Sequence, residues 1–168
     1  MLKKVIIFQI GILFLIALIS CGEESAEHIY KDPHGVFQCI LPQSWEAIAA
    51  DTFTPFSRYE DISQTMLQIF AKPTTKSVLS KDDKLRLLKA MEETKERVLV
   101  QRIRIIHGIE AWEILGENKR YGGQLRKRHE IWLINNRVLI TFSLTASPEL
   151  YESAERAFEN IIKSLKFF

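Results

Sequence analysis

The amino-acid sequence predicts an α+β fold: an antiparallel sheet of about six strands with helices packed on its faces. Several segments alternate apolar and polar residues with a period of two, which is typical of strands. Two other segments, one near the middle of the chain and one at its end, space their apolar residues as a helix does. The order of strands, helix, antiparallel strands and helix favours a layered sandwich.

The predicted domain opens with short strands. Val36–Leu41 is an apolar run that follows a turn signal and ends at Pro42. Thr65–Ala71 is a second run, which Lys72-Pro73 ends. Between them, residues 54–58 are interpreted as a further strand, although prolines and polar residues interrupt the pattern.

Ser80 is predicted to cap the first helix. Asp82 and Asp83 fall in its first turn, where the helix dipole favours acidic side chains. The apolar stripe comprises Leu85, Leu88, Met91 and Val98. We therefore expect this helix to extend to about Arg97.

The following strands form an antiparallel meander. They are predicted at Gln101–Ile106, Ile109–Glu117, Gln124–Ile134 and Arg137–Thr145. Asn135 and Asn136 tolerate the left-handed backbone of a tight hairpin turn. If residues 134 and 137 flank that turn, Ile131 faces Ile140 and Leu133 faces Val138.

The last helix is predicted to start at Ser147, with a cap, a first-turn proline and an acid in order. Its expected buried stripe is Leu150, Ala154, Ala157, Phe158, Ile161, Ile162 and Leu165. No internal repeat or low-complexity segment is evident in the sequence.

The N-terminal segment predicts secretion and lipid anchoring. Lys3 and Lys4 precede an apolar run that ends at Leu18-Ile19-Ser20-Cys21, and this is the anatomy of a signal peptide. A transmembrane anchor needs about 20 apolar residues, and this run is shorter. Cleavage by ordinary signal peptidase, with Cys21 as a bystander, is the other alternative. The segment resembles a lipobox, which implies cleavage before Cys21 and its acylation with palmitate-type chains.

Cleavage before Cys21 would determine where the mature protein begins. Residues 1–20 are then a lipoprotein signal peptide, 21–29 a tether and 30–168 one domain. The full chain has 23 basic and 21 acidic residues, and loss of Lys3 and Lys4 leaves 21 of each. A neutral protein does not indicate nucleic-acid binding. If Cys21 is acylated, Cys39 has no partner, so we expect no disulfide and a buried thiol in a strand.

Three stretches resemble the PsbP-like family, which includes the extrinsic photosystem II subunit and many bacterial lipoproteins. They are Gly35–Trp45 with its strand closed by Pro-x-x-Trp, Ile106–Trp112 with Gly-x-x-Ala, and Phe158–Phe167 with its Ser-hydrophobic-Lys-Phe tail. The resemblance spans about residues 30–168 and implies a PsbP-like α/β/α sandwich. It also implies an adaptor or binding protein and not an enzyme.

No catalytic constellation stands out, and we predict no enzyme activity, no cofactor and no metal site. His28 and His34 lie near acidic residues, which leaves a surface metal site as an alternative, but no His-x-x-x-His or Cys-x-x-Cys pair is present. The sharpest polar feature is a set of cations on neighbouring strands, namely Arg102, Arg104, Arg126, Lys127 and Arg128. These are candidate partner-binding residues. The alternative is a solvated hairpin whose arginines pair with Glu110, Glu113, Glu117 and Glu130.

The sequence therefore predicts a lipoprotein of the cell envelope, in the outer membrane if the cell has two membranes. Its expected partners are the lipid bilayer, through its N-terminal acyl chains, and another envelope protein. The alternative is a module that binds a small apolar or anionic ligand between sheet and helix, lined by Phe53, Phe56, Trp112 and Trp132.

Overall fold

The computed structural model describes residues 28–49, 52–54, 65–120 and 124–168. The strands of these segments are β1 (His28–Lys31), β2 (Phe37–Leu41), β3 (Glu46–Ala49), β4 (Thr52–Thr54), β5 (Thr65–Pro73), β6 (Arg97–Ile106), β7 (Ile109–Arg120), β8 (Gln124–Asn135), β9 (Val138–Ala146) and β10 (Lys166–Phe167). The helices are α1 (Lys81–Glu93) and α2 (Tyr151–Lys163). The predicted signal peptide and residues 21–27 of the predicted tether lie outside the described residues, whereas β1 begins at His28.

Within the described segments the strands form two antiparallel sheets. The larger sheet has seven strands in the order β3-β4-β5-β9-β8-β7-β6, and the smaller one has the order β1-β2-β10. The predicted α+β class is confirmed. The small sheet was not predicted: β1 is a short polar strand that forms a hairpin with β2, and β10 has only two residues and pairs with β2 from the far end of the chain.

The main core lies between the large sheet, α2 and the small sheet. Phe37 of β2, Phe142 of β9 and Phe158 of α2 are fully buried there, and each such side chain contributes roughly 1.5–3 kcal/mol of hydrophobic stabilisation. Ser164 joins α2 to the small sheet: its Oγ accepts from the Ile40 amide at 2.8 Å and donates to the Ile161 carbonyl at 2.7 Å. The C-terminal end of α2 is thereby fixed to β2.

Helix α1 covers the opposite face of the large sheet. Side chains alternate between faces along a strand, so Ala111 points into the main core while Trp112 and Ile114 point to α1. Trp112 and Ile114 pack with Met91 in a second, smaller core, flanked by Leu79, Leu87, Leu88, Val98 and Trp132. One helix on each face gives the expected α/β/α layering.

The start of α1 is confirmed and its predicted end is wrong. Ser80 Oγ accepts from the Asp83 amide at 3.2 Å, and the Asp83 carboxylate accepts from the Ser80 amide at 3.0 Å, which is a capping box. The helix ends at Glu93, not Arg97, because Lys95 takes a left-handed backbone with φ of 58°. Arg97 then begins β6.

The predicted start of the last helix is also wrong. The Leu150 amide donates to the Ser147 carbonyl at 3.1 Å, so these residues form a turn. The first helical bond runs from the Ala154 amide to the Leu150 carbonyl, and α2 starts at Tyr151. Five of the seven residues in the predicted apolar stripe are confirmed as buried, namely Ala154, Phe158, Ile161, Ile162 and Leu165.

The hairpin between β8 and β9 turns one residue later than predicted. Asn136 and Arg137 have φ of 47° and 60° and form the turn. Leu133 consequently faces Ile140, where Val138 was expected. The Thr74 amide donates to the Arg137 carbonyl at 2.7 Å, which holds the turn in this position. The buried faces are unchanged, because the partners move by two residues.

Two further predictions, the strand at residues 54–58 and the buried thiol of Cys39, can be compared with the structure only in part. Strand β4 shares only Thr54 with the predicted strand, and residues 55–58 lie outside the described residues. Cys39 is buried in β2, as expected, and it has no disulfide partner within the described residues. No helix in the described segments has the length and apolar character needed to cross a membrane.

Candidate interaction surface along strand β6

Strand β6 is the outermost strand on one side of the large sheet. It pairs on its inner side with β7, from Arg97 opposite Glu117 to Ile106 opposite Ile109. In the described part of the chain, no strand pairs with its other side. Its outer row of backbone amides and carbonyls is therefore open to pairing.

Apolar side chains on β6 are unusually exposed. Ile103 keeps 50% and Ile105 keeps 65% of its surface accessible. Leu99 and Val100, near the start of the strand, are exposed as well. Proteins normally blunt a long edge strand with charges or cover it. Exposed apolar side chains on the same face of an edge strand, such as Ile103 and Ile105, are typical of an interaction site.

The apolar face points outward because the arginines of β6 are held on the opposite face. Arg102 lies opposite Glu113 in the ladder, and its Nε donates to Glu113 Oε2 at 2.5 Å. Arg104 makes a bidentate pair with Glu159 of α2, at 2.8 and 2.7 Å. Since side chains alternate along a strand, Ile103 and Ile105 are placed on the α1 face, beyond the area that α1 covers.

Glu113 is the centre of a buried polar cluster under α2. His129 Nε2 lies 2.8 Å from Glu113 Oε1, and His129 Nδ1 lies 3.5 Å from Glu155 Oε1. The His129 ring packs on Phe158, with centroids 4.8 Å apart. Burial raises the pKa of Glu113, but hydrogen bonds from Arg102 and His129 lower it more, so the pKa lies below its usual value.

This cluster contains atoms that could bind a metal ion, but its carboxylates are already paired with arginines. Ligand atoms of Glu113, His129 and Glu159 lie within 4.8 Å of one another. Both carboxylates, however, already bind Arg102 or Arg104. A metal ion would have to displace these guanidinium groups, so the contacts fit an ion-pair network that fixes β6 to β7 and α2.

A second buried network lies on the α1 face. Arg128 Nη1 donates to Glu96 Oε2 at 2.8 Å, and its Nη2 donates to Glu130. Trp132 Nε1 donates to the other oxygen of Glu130 at 3.0 Å. Glu96 and Glu130 are both buried, so Arg128 neutralises charge inside the sheet layer.

The predicted cations do not form one patch. Arg102 and Arg104 belong to the Glu113 cluster, whereas Arg128 lies on the opposite face with Glu130. Lys127 Nζ lies 5.0 Å from the centroid of the Tyr151 ring, and Arg126 donates to Gln124 at 3.3 Å. Three pairs of the alternative interpretation are present, namely Arg102 and Arg104 with Glu113, and Arg128 with Glu130. The role of these five residues in partner binding stays a prediction.

A shallow groove lies on the α1 face, beside the helix. One part has a volume of about 480 Å³ and the adjoining part about 280 Å³, and Trp132 and Leu139 line both. Phe70 lines the larger part and is half exposed. Of the aromatic residues proposed for a ligand pocket, Trp132 is in this groove and Trp112 is buried beneath α1. The Phe53 side chain and Phe56 lie outside the described residues.

The sequence analysis did not predict that four residues lie close together in the fold: Glu113, His129, Glu155 and Glu159. Glu113 carried a usable signal, because it is an acid between apolar residues on both faces of a strand, where an unpaired charge is costly. Glu155 and Glu159 carried none, since two acids one turn apart are ordinary on an exposed helix face. Only the packing of α2 across β7 and β8 brings them to His129.

Comparison with known proteins is informative at the level of structure. No protein-family model matches the chain, and no curated protein matches it in sequence. The described elements define an α+β sandwich whose antiparallel sheet carries a helix on each face. Among solved structures, cyanobacterial PsbP (CyanoP) from Synechocystis sp. PCC 6803 superposes with a TM-score of 0.63 and 14% identity, over 89% of this chain and 98% of that one.

Two other structures share the architecture. LpqN, involved in cell envelope biogenesis of Mycobacterium tuberculosis, has a TM-score of 0.56 and 11% identity over 86% of both chains. The Ran-binding protein Mog1p of Saccharomyces cerevisiae has a TM-score of 0.56 and 10% identity, over 84% of this chain and 95% of that one. The chain therefore folds as a PsbP-like domain, as the resemblance implied. Identities this low establish the fold and not the role.

Proposed function

We propose that this protein is a lipid-anchored envelope protein whose PsbP-like domain binds another protein and performs no catalysis. The observation that carries this proposal is the free edge of β6, with Ile103 and Ile105 exposed at 50% and 65%. The arginines and the bulge of β6 limit unspecific pairing, but its exposed isoleucines remain available to a partner. The buried Glu113 cluster favours a structural role over catalysis, because its carboxylates are already bound by arginines.

The neighbours are compatible with this proposal. LpqN is involved in cell envelope biogenesis, and Mog1p binds Ran. The anchoring rests on the N-terminal sequence, where Cys21 follows the lipobox-like Leu18-Ile19-Ser20. Two acyl chains on Cys21 would hold the protein firmly at a membrane.

The anchor is tested by the variant C21S in the native host. We expect it to lose labelling by an alkyne fatty-acid probe and to accumulate as an unprocessed precursor on gels. C39S is the matched control and should label as the wild type does. Undiminished labelling of C21S would contradict the lipoprotein assignment.

Protein binding is tested by a photo-cross-linking amino acid placed at Ile105, in living cells. We expect a discrete cross-linked band that depends on this position. The same amino acid at Val78, which is 62% exposed in the segment before α1, is the control and should give no such band. Absence of any band from Ile105 contradicts binding at β6.

A second candidate function, ligand binding, is favoured by the groove at Trp132. Lys72 and Arg86 line its two parts and have no ion pair within the described residues. An apolar floor beside these cations suits a small anionic amphiphile. A change in tryptophan emission when dodecanoate is added, lost in W132L but kept in W45F, would support it; an equal change in both variants argues against it.

A further inference from the structure

We propose that β6 binds its partner by strand addition, and that the partner supplies an extended segment alternating apolar and acidic residues. This inference rests on the proposed function, since it specifies how a protein is held at the same surface. In strand addition the main chain provides affinity, and alternate side chains provide specificity.

The backbone of β6 is suited to receive a strand. Its irregularity is confined to Leu99, where the register shifts between Val98 and Val100. From Val100 to Ile106 the pairing with β7 is continuous. The same stretch presents its outer amides and carbonyls without a strand partner in the described part of the chain. An added strand would continue the large sheet by one position.

The two faces of β6 select opposite side-chain types. On the α1 face, Ile103 and Ile105 would lie beside the apolar residues of an added strand, at about 4.5–5.5 Å between directly opposed Cβ atoms. On the α2 face, Arg97 and Arg102 keep 75% and 60% of their side-chain surface exposed, and the exposed Val100 lies between them. Acidic residues of the partner would pair with these arginines.

Arg102 retains capacity for such a pair. A guanidinium has five N–H donors, and the bond from Arg102 to Glu113 uses Nε. The exposed end of the side chain is available to a second carboxylate. The pair with Glu113 also limits the movement of Arg102, which lowers the entropy lost when the partner binds.

The same charges disfavour a second copy of this chain as the occupant. If two β6 strands paired antiparallel to form one continuous sheet, the α2 faces of both copies would lie on the same side of that sheet. Pairing over Val100–Ile106 would then place Arg102 of each copy near the arginines on the same face of the other. Like charges across a strand pair are destabilising, so the arginines act against self-pairing while they favour an acidic segment.

The test uses the full-length protein in detergent and fluorescent peptides of about ten residues, the length of β6. One peptide alternates Val and Glu, a second alternates Val and Lys, and a third has the composition of the first in two blocks. By fluorescence anisotropy we expect the Val/Glu peptide to bind at least about tenfold tighter than the others. Hydrogen exchange should slow in Gln101–Ile106 when it binds.

The variant I103K/I105K places lysines on the α1 face of the edge and should reduce binding of the Val/Glu peptide by about tenfold or more. V78K is the matched control and should bind as the wild type does. Both variants change exposed positions, and unchanged urea midpoints will verify their folding. Equal affinity for all three peptides, or unaltered binding by I103K/I105K, overturns strand addition.

Two further outcomes separate this inference from the proposed function. If cross-links from Ile105 persist in cells while the Val/Glu peptide does not bind, strand addition is wrong and protein binding stands. If sedimentation shows a dimer that I103K/I105K abolishes, a second copy is the occupant and the acidic segment is wrong. Loss of both the cross-link and the peptide complex contradicts both proposals.

Discussion

His129 Nε2 lies 2.8 Å from Glu113 Oε1, and both side chains are buried between the large sheet and α2. Through Glu113 the same contact extends to Arg102 and Arg104 of β6. One carboxylate thus links the edge strand to the sheet and to the helix. The orientation of the exposed apolar face of β6 depends on this link.

Replacing Glu113 with Gln should therefore destabilise the domain. The arginines and His129 would lose a buried anionic partner, and breaking a buried pair on one side costs about 3 kcal/mol. The measurement is urea unfolding followed by tryptophan fluorescence. E117Q is the control, because Arg97, the partner of Glu117, is largely exposed and such pairs contribute at most about 1 kcal/mol. Equal stability of E113Q and E117Q would contradict a central role for Glu113.

The Glu113 cluster should make the stability of the folded domain sensitive to acid. The hydrogen bond from Arg104 holds the pKa of Glu159 below its usual value of 4.5, and the pKa of Glu113 is lowered too. Since the folded-state pKa values lie below the unfolded ones, their stabilisation is complete above pH 4.5. It is lost as the pH falls from there through the lower folded-state values.

Unfolding free energies measured between neutral pH and the acid range will show this loss. E159Q should have a flatter pH dependence than the wild type, because one of the linked carboxylates is gone. E110Q removes an exposed carboxylate whose ion pair within the described residues is with Lys84 at 3.3 Å, and it should keep the wild-type dependence. If E159Q keeps the wild-type slope, the linkage assigned to this pair is wrong.

Cys39 should be unreactive in the folded protein. Burial raises the pKa of its thiol to about 12, so almost no thiolate exists at pH 8. The protein purified from membranes should show no reaction with a disulfide thiol reagent until it is denatured, and then one thiol per chain if Cys21 is acylated. C39S should show none in either state. A thiol that reacts in the native protein and maps to Cys21 would contradict acylation.

Gly116 should not tolerate a side chain. A Cβ at this position would lie 2.8 Å from Glu96 Oε1 and 3.3 Å from the Arg97 carbonyl. G116A would push Glu96 away from Arg128, and such overpacking costs about 1–3 kcal/mol. In the E96A background the same substitution should cost clearly less, because the clashing side chain is absent. Equal costs in both backgrounds, measured by a double-mutant cycle, would show that Glu96 is not the obstacle.

Much of the fold is predictable because its determinants are local. The capping residues of α1, the alternation in β5 through β9 and the apolar stripe of α2 are each visible within a dozen residues of sequence. The errors concern ends and registers. The end of α1 depends on the left-handed Lys95, and the turn at Asn136 and Arg137 depends on Thr74, which is more than 60 residues earlier in the chain.

Less of the candidate interaction surface could be predicted from the sequence. Arg102 and Arg104 were identified as polar features, but the sequence does not say which face of β6 is covered. An alternating strand has two faces, and the usual expectation buries the apolar one. Here the carboxylates of Glu113 and Glu159 hold the arginines toward α2, and Ile103 and Ile105 are left exposed.

The sequence by itself determined the α+β class and the buried stripe of α2, and it predicts the acylation of Cys21, because periodicity and short motifs are properties of neighbouring residues. Only the tertiary structure decided that β6 is the outermost strand among the described elements and that Ile103 and Ile105 are exposed there. That decision depends on strand order and on ion pairs between Arg104 and Glu159, which are 55 residues apart. Contacts at that separation leave no pattern in a local stretch of sequence, so they become visible only when the sheet and α2 are assembled.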